Sequence, residues 1–278
     1  MASDLIVRWP RFKFEEADLI WEDNPEVSME WNAMSTSAPI VEPWLNRVMT
    51  RCRKEIRDDR PDLKADIDDF VRQESNHYRM HESFNVFLEQ QGYTIPKHFD
   101  EEFEASLRDL LKTKSIPFLS AYCAGFENYT LFSSQFLFEN ARDMFKEGDG
   151  GIGDLWLWHF AEEYEHRKVC HDVYAHISGN YFTRVHGLIY SFWHLSTHVN
   201  RRIRHFMELY RANMTPEQRA ESEKRHKAYQ RRYLKFFVPR MLQILIPFYD
   251  PGKAPPSPGL EEALGRYTAL SAPAAAAA

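Results

Sequence analysis

A chain of 278 residues can bury one large core, and 44% hydrophobic with 27% charged residues is the composition of an ordinary globular domain. Eleven glycines, absent from long stretches, argue for helix over a turn-rich β fold, and a formal charge of −6 gives no electrostatic reason for binding nucleic acid. Cys52, Cys123 and Cys170 show no paired spacing and fit a reducing cytoplasm, no run reaches the ~18–20 apolar residues of a membrane span, and the first residues lack a signal-peptide run.

Residues 1–34 carry Trp9, Phe12, Phe14, Trp21 and Trp31 without periodicity, which reads as an irregular arm whose aromatics pack on a helical body. A first core helix is expected over about 40–57, where Leu45, Val48, Met49 and Cys52 follow the 3,4 spacing and Glu42 lies in the first turn. Pro61-Asp62 opens a second helix that ends at Gly92. A charged amphipathic helix spans 98–113, and a very apolar one spans about 117–146. In the latter Glu127 stands among Phe126, Tyr129 and Thr130, where an ionised carboxylate without a partner would cost several kcal/mol. Glu139, in polar company, is the second acid of that helix.

A glycine-rich link, 148–153, has no Gly-Lys-Ser/Thr and is not a phosphate loop. A fourth core helix is expected over about 153–178 and a fifth over 180–212. His194 and His198 on the fifth have no carboxylate beside them and read as helix-face histidines. Residues 201–240 hold twelve Lys/Arg against four Glu, followed by an apolar run, 236–249. The expectation is a terminal helix docked on the body, with peripheral contact to an anionic membrane through residues 201–249 as the alternative. The domain reading is therefore 1–34 arm, 35–250 helical bundle and 251–278 disordered Pro/Ala-rich tail.

Two stretches carry the chemistry. Glu74, His77 and His81 lie on one side of a helix at ~100° per residue, and so do His159, Glu163 and His166. Each contains Glu-x-x-His, a spacing that lets both side chains reach one ion. The two copies start 89 residues apart (74 to 163). With one Glu from each of two other helices, such motifs build dinuclear carboxylate sites inside four-helix bundles. The ordered set is Glu42, Glu74/His77, Glu127, Glu163/His166, with His81 and His159 in reserve. Four carboxylates with imidazoles suit two iron ions, with manganese or zinc as alternatives. The aromatic lining would keep water from a reactive oxygen species.

Phe70-Val-Arg-Gln-Glu-Ser-Asn-His77, His81 and Asn85, Glu127-Asn-Tyr-Thr130 and Glu163-Tyr-Glu-His166 resemble the bacterial family of predicted metal-dependent hydrolases over roughly residues 5–250. The resemblance implies an all-α, ferritin-like four-helix bundle with additional C-terminal helices. His159-x-x-x-Glu163-x-x-His166 is also similar to p-aminobenzoate N-oxygenase-type di-iron enzymes, and that likeness makes His159 a seventh ligand. The chain departs from the family pattern at Glu42, which Pro43 follows and Val41 precedes in place of a glycine. The expected function is a di-iron enzyme activating dioxygen to oxidise a hydrophobic small molecule or lipid, with an external electron donor. A dinuclear hydrolase of an ester or amide is the alternative, and an iron-storage bundle the second. A cytoplasmic enzyme, membrane-associated under the basic-stretch alternative, and a homodimer complete the expectations.

Overall fold

The computed structural model describes residues 5–144 and 151–271, and among these the regular structure is helical throughout. The bundle predicted from periodicity is present. In chain order the helices are α1 (Pro25–Ser35), α2 (Ala38–Glu55), α3 (Pro61–Gln90), α4 (Lys97–Thr113), α5 (Ile116–Phe136), α6 (Ile152–His166), α7 (Val169–Ile177), α8 (Tyr181–Arg211), α9 (Pro216–Gln243) and α10 (Leu260–Ser271). Prolines open α1, α3, α5 and α9 at the first turn, where the missing N–H has no helical partner to lose. Ser115 and Thr215 cap α5 and α9 through their side chains, and Gly92 ends the turn after α3 at φ 87°.

Four of these helices close a ring: α2 packs on α3, α3 on α6, α6 on α5 and α5 on α2. Their apolar faces make two hydrophobic clusters. On α3 the first ends at Phe70 and the second starts at Phe84, and on α5 the change falls between Phe126 and Leu131. The layer between them holds Glu74, His77 and His81 on α3 and Glu127 on α5, so the polar residues occupy one level of the bundle. Against the outer side of α5 lies α8. A Cβ on Gly187 would come within 2.8 Å of the Ala121 carbonyl carbon, and one on Gly125 within 2.8 Å of Leu188 Cα. These two glycines let the helices approach backbone to backbone just before Glu127.

Four expectations need correction. The arm is not irregular to residue 34: Asn24 caps α1 by accepting from Glu26 N, Pro25 follows at its first position, and Trp21 and Trp31 are buried. The helix expected to 146 stops as α-helix at Phe136 and continues as a π turn, Leu137–Ala141, and a short 3₁₀ turn. The helix expected over 153–178 breaks after His166, where Arg167 turns back to donate to the Tyr164 carbonyl at 2.8 Å and stack on its ring. The tail is helical from Leu260 to Ser271, because Leu260, Ala263 and Tyr267 bury one face and Tyr267 OH donates to Asp154 at 2.8 Å. The glycines at 148–150 and the alanines at 274–278 lie outside the described residues.

Candidate metal centre

Glu42 from α2, Glu74 and His77 from α3, Glu127 from α5, and His159, Glu163 and His166 from α6 converge in the polar layer. Glu74, His77, Glu163 and His166 are fully buried, and Glu42, Glu127 and His159 nearly so. Their donor atoms form three overlapping groups: His77, His159 and Glu163; Glu74, Glu127, Glu163 and His166; and Glu42, Glu74 and His77. Within each group every donor lies within 4.8 Å of the others. Glu163, Glu74 and His77 each belong to two groups, and Glu163 and Glu74 are the carboxylates that link the His166 group to the other two. His166 Nδ1 stands 3.0 Å from Glu74 Oε1, 3.5 Å from Glu163 Oε2 and 3.7 Å from Glu127 Oε2. His77 Nδ1 is 3.5 Å from Glu163 Oε1, and His159 Nε2 is 2.9 Å from the same oxygen and 3.8 Å from Glu42 Oε1.

Each imidazole is held from behind with one nitrogen left for the centre. His77 Nε2 donates to Glu162 Oε2 at 2.9 Å, so Nδ1 carries the lone pair. Gln73 uses its amide N–H groups on Glu165 and the Ile6 carbonyl, so its Oε1 accepts from His166 Nε2 at 3.0 Å and again frees Nδ1. A longer relay sets His159. Ser35 Oγ donates to Asn85 Oδ1 at 2.7 Å and accepts from His81 Nδ1 at 2.8 Å. His81 Nε2 then accepts from His159 Nδ1 at 2.6 Å, which leaves the His159 Nε2 lone pair toward Glu163 and Glu42. Partners of this kind fix tautomer and ring orientation in metal-binding histidines.

His81 therefore stands behind His159 and does not enter the cluster, which corrects its place in the expected ligand set. It has the helical phase of Glu74 and His77, but His159 from the facing helix lies between it and the carboxylates. Replacing Ser35 by Ala removes the acceptor that fixes the His81 tautomer. Metal affinity, measured by chelator competition, is expected to fall about 10–100-fold with the number of sites preserved; unchanged affinity would leave the relay no part in binding.

Arg8, Gln73, Glu162 and Glu165 form the layer behind His77 and His166. Arg8 Nη1 donates to Glu162 at 3.0 Å and to Glu165 at 2.9 Å, and Nη2 to Glu165 at 3.0 Å. Glu165, whose helical phase on α6 points away from Glu163 and His166, is thus tied to the arm. Gln73 has a signal the spacing could have supplied, four residues before His77 on the same face. Arg8 and Ser35 have none, since each is brought in by the path of the N-terminal segment. Glu139 lies away from the centre, bonded to Arg240 and Ser257. His194 accepts from Tyr122 OH and donates to Ser106 Oγ, and His198 stacks on Phe103, as helix-face histidines do.

The electrostatics are lopsided. Burial and neighbouring carboxylates push Glu42 and Glu127 well above the usual carboxylate range, and burial with Glu163 raises Glu74. Burial also opposes charge on Glu163, but His166, His159 and His77 outweigh it and hold its carboxyl well below that range. Burial disfavours protonation of His77, yet the neighbouring Glu162 and Glu163 carboxylates push it up to about 10. Burial and His77 lower His159 to about 4, and burial with His159 lowers His81. Seven buried donor atoms have no hydrogen-bond partner: Glu42 Oε2, both Glu74 oxygens, His77 Nδ1, Glu127 Oε1, Glu163 Oε2 and His166 Nδ1. All seven belong to the converging set, and leaving them so would cost several kcal/mol. Two divalent cations carry four positive charges and would balance the four carboxylates, so the residues present fit such a pair.

A model of the family described as predicted metal-dependent hydrolase matches residues 6–254. The chain belongs to the predicted metal-dependent hydrolase family. No curated protein and no solved structure matches it. The family corrects the expected dioxygen-activating reaction: the description is of a hydrolase, the alternative weighed from the same residues, and not of an oxidase. Ligand spacing failed to separate the two because carboxylate and imidazole donors serve Lewis-acid and redox chemistry alike. Membership makes metal dependence the property that the centre must explain. Among the described residues, no helix of this family member is long and apolar enough to cross a membrane.

Proposed function

We propose that this protein is a dinuclear metal-dependent hydrolase acting on an ester or amide of an apolar compound. One observation carries the reading: a cavity of about 340 Å³ ends on Glu42 and His159, and most of its remaining wall is aromatic or aliphatic, including Trp31, Phe126, Phe160 and Phe237. Glu42, Glu74, His77, His159 and Glu163 would hold one cation, and Glu74, Glu127, Glu163 and His166 the other. The donors are oxygen-rich with borderline imidazoles, a set that takes manganese, iron(II) or zinc. When bound, the cations would supply Lewis-acid polarisation of a carbonyl and acidify a water at neutral pH.

The chain's own residues do the remainder. The apolar walls take up the acyl or aryl part and exclude bulk water from the reacting carbonyl. With one oxygen on the cation, the other oxygen of Glu42, which lines the cavity, would accept a proton from an attacking water and return it to the leaving group. Thr130, on the cavity wall, holds its hydroxyl 3.2 Å from the Glu127 carbonyl and 3.4 Å from Glu127 Oε2.

The test is elemental analysis of the purified protein, followed by assay with neutral nitrophenyl esters and anilides of increasing acyl length, metal-loaded and chelator-treated. Expected are about two divalent ions per chain and hydrolysis that rises with acyl length and disappears with the metal. Fewer than one ion per chain, or no turnover of any member by protein loaded with manganese, iron(II) or zinc, would overturn the reading.

A further inference from the structure

The cavity reaches the surface between α8 and α9, which both pack on α5 and both line it. Phe192, Asn200 and Leu234 line it and are themselves exposed. Around this mouth the surface is unusual in two ways. On α8, Phe182, Ile189 and Trp193 are 78%, 57% and 60% exposed, and at ~100° per residue they share one stripe with Arg204. On α9, exposed Lys227, Arg231, Leu234, Val238 and Leu242 fall within a sector of roughly 80°. The chain then turns so that Tyr181 OH donates to the Leu245 carbonyl at 2.7 Å and Arg184 Nη2 to the Ile246 carbonyl at 2.7 Å. Those bonds hold the end of α9 against the start of α8. The apolar halves of both stripes, with Phe248 at 91% exposure, thus meet at one end of the mouth, and the basic halves meet at the other.

Charge is segregated as well. The chain is −6 overall, yet residues 224–249 hold Lys224, Arg225, Lys227, Arg231, Arg232, Lys235 and Arg240 with no Asp or Glu. Lys227, Arg231 and Lys235 make no ion pair among the described residues, whereas Arg225 is spent on Glu26 and Arg240 on Glu139. An exposed tryptophan and phenylalanines beside unpaired cations are the complement of a lipid headgroup layer, with apolar side chains entering the acyl boundary and the bases meeting anionic headgroups. A second copy of this chain would set these cations against their like.

We propose that the α8–α9 face docks on an anionic lipid surface and holds the cavity mouth at the bilayer boundary, so that an amphiphile enters without crossing water. This goes beyond the hydrolytic reading, and its test needs no turnover. The full-length, metal-loaded protein is sedimented with phosphatidylcholine vesicles with and without phosphatidylserine, at low and high salt. Binding is expected only with phosphatidylserine and is expected to weaken with salt. The triple variant Lys227→Glu, Arg231→Glu, Lys235→Glu should lower partitioning on the order of a hundredfold. Trp193→Ser and Phe248→Ser, both exposed and outside the core, should each lower it about tenfold with unchanged melting temperature. Equal binding to neutral vesicles, no binding at low salt, or variants that partition like the parent would each overturn the proposal. So would a stable dimer in sedimentation velocity that Trp193→Ser or Phe248→Ser dissociates, because the face would then belong to a second copy.

Discussion

Glu163→Ala protein is expected to carry less than one metal ion per chain where the parent carries about two. Glu163 stands in two of the three donor groups, its Oε1 facing His77 and His159 and its Oε2 facing His166. Losing it strips a shared carboxylate from both positions and leaves three buried imidazoles short of a counter-charge. His77→Ala is expected to empty one position first, since its Nδ1 serves the Glu42 side. Glu165→Ala is the control. Its carboxylate bonds Arg8 and Gln73 and never reaches the centre, so metal content should match the parent. Elemental analysis with circular dichroism on all three decides the matter, and equal metal content across the series would contradict the shared role expected of Glu163.

Metal removal is expected to make stability fall as pH rises. His77, raised from 6.5 to about 10, and His166, held well above its ordinary value by Glu163 and Glu74 against burial, both take up protons on folding. A group raised in the folded state adds stability that is complete below its unfolded pKa and is lost as pH climbs through the folded value. For His77 that window runs from 6.5 to about 10. The raised carboxyls of Glu42, Glu74 and Glu127 act in the same direction. Glu163, lowered, opposes them only in acid, below its unfolded value of 4.5. Between pH 6.5 and 9, at ~1.36 kcal/mol per pH unit, His77 alone forfeits on the order of 3 kcal/mol, roughly 10 °C of melting temperature. Bound cations replace those protons, so the gap between loaded and chelated protein should widen with pH. Thermal melts of both forms across that range supply the check; a flat melting temperature for the chelated protein would mean that the histidines are not the charge partners of these carboxylates.

Much of the centre was legible as a pattern. An i, i+3 pair is a local quantity, so Glu74/His77 and Glu163/His166 could be read as shared faces before any tertiary contact was known. Glu127 announced itself by its apolar neighbours on α5, where a lone carboxylate needs a reason. His81 shows the limit of phase: a helix angle gives the direction of a side chain and not what stands in front of it. Only the packing of α6 against α3 reveals that His159 comes between. The same limit explains Glu165, outward by phase yet bonded to an arginine 157 residues away in the chain. Breaks in the helices at Phe136 and His166 were also invisible, because apolar periodicity runs straight through both.

By itself the amino-acid sequence determined the helical class, the ligand types and the acids and imidazoles that share a face, since each depends on residue chemistry at short spacing. Tertiary structure decided which of these donors meet, which serve behind them through Ser35, Gln73 and Glu162, and that a cavity reaches the centre from between α8 and α9. Those outcomes depend on how separate helices cross, and crossing is set by side-chain volumes summed over the whole core, such as the close approach at Gly125 and Gly187, for which no short stretch of sequence carries a signal.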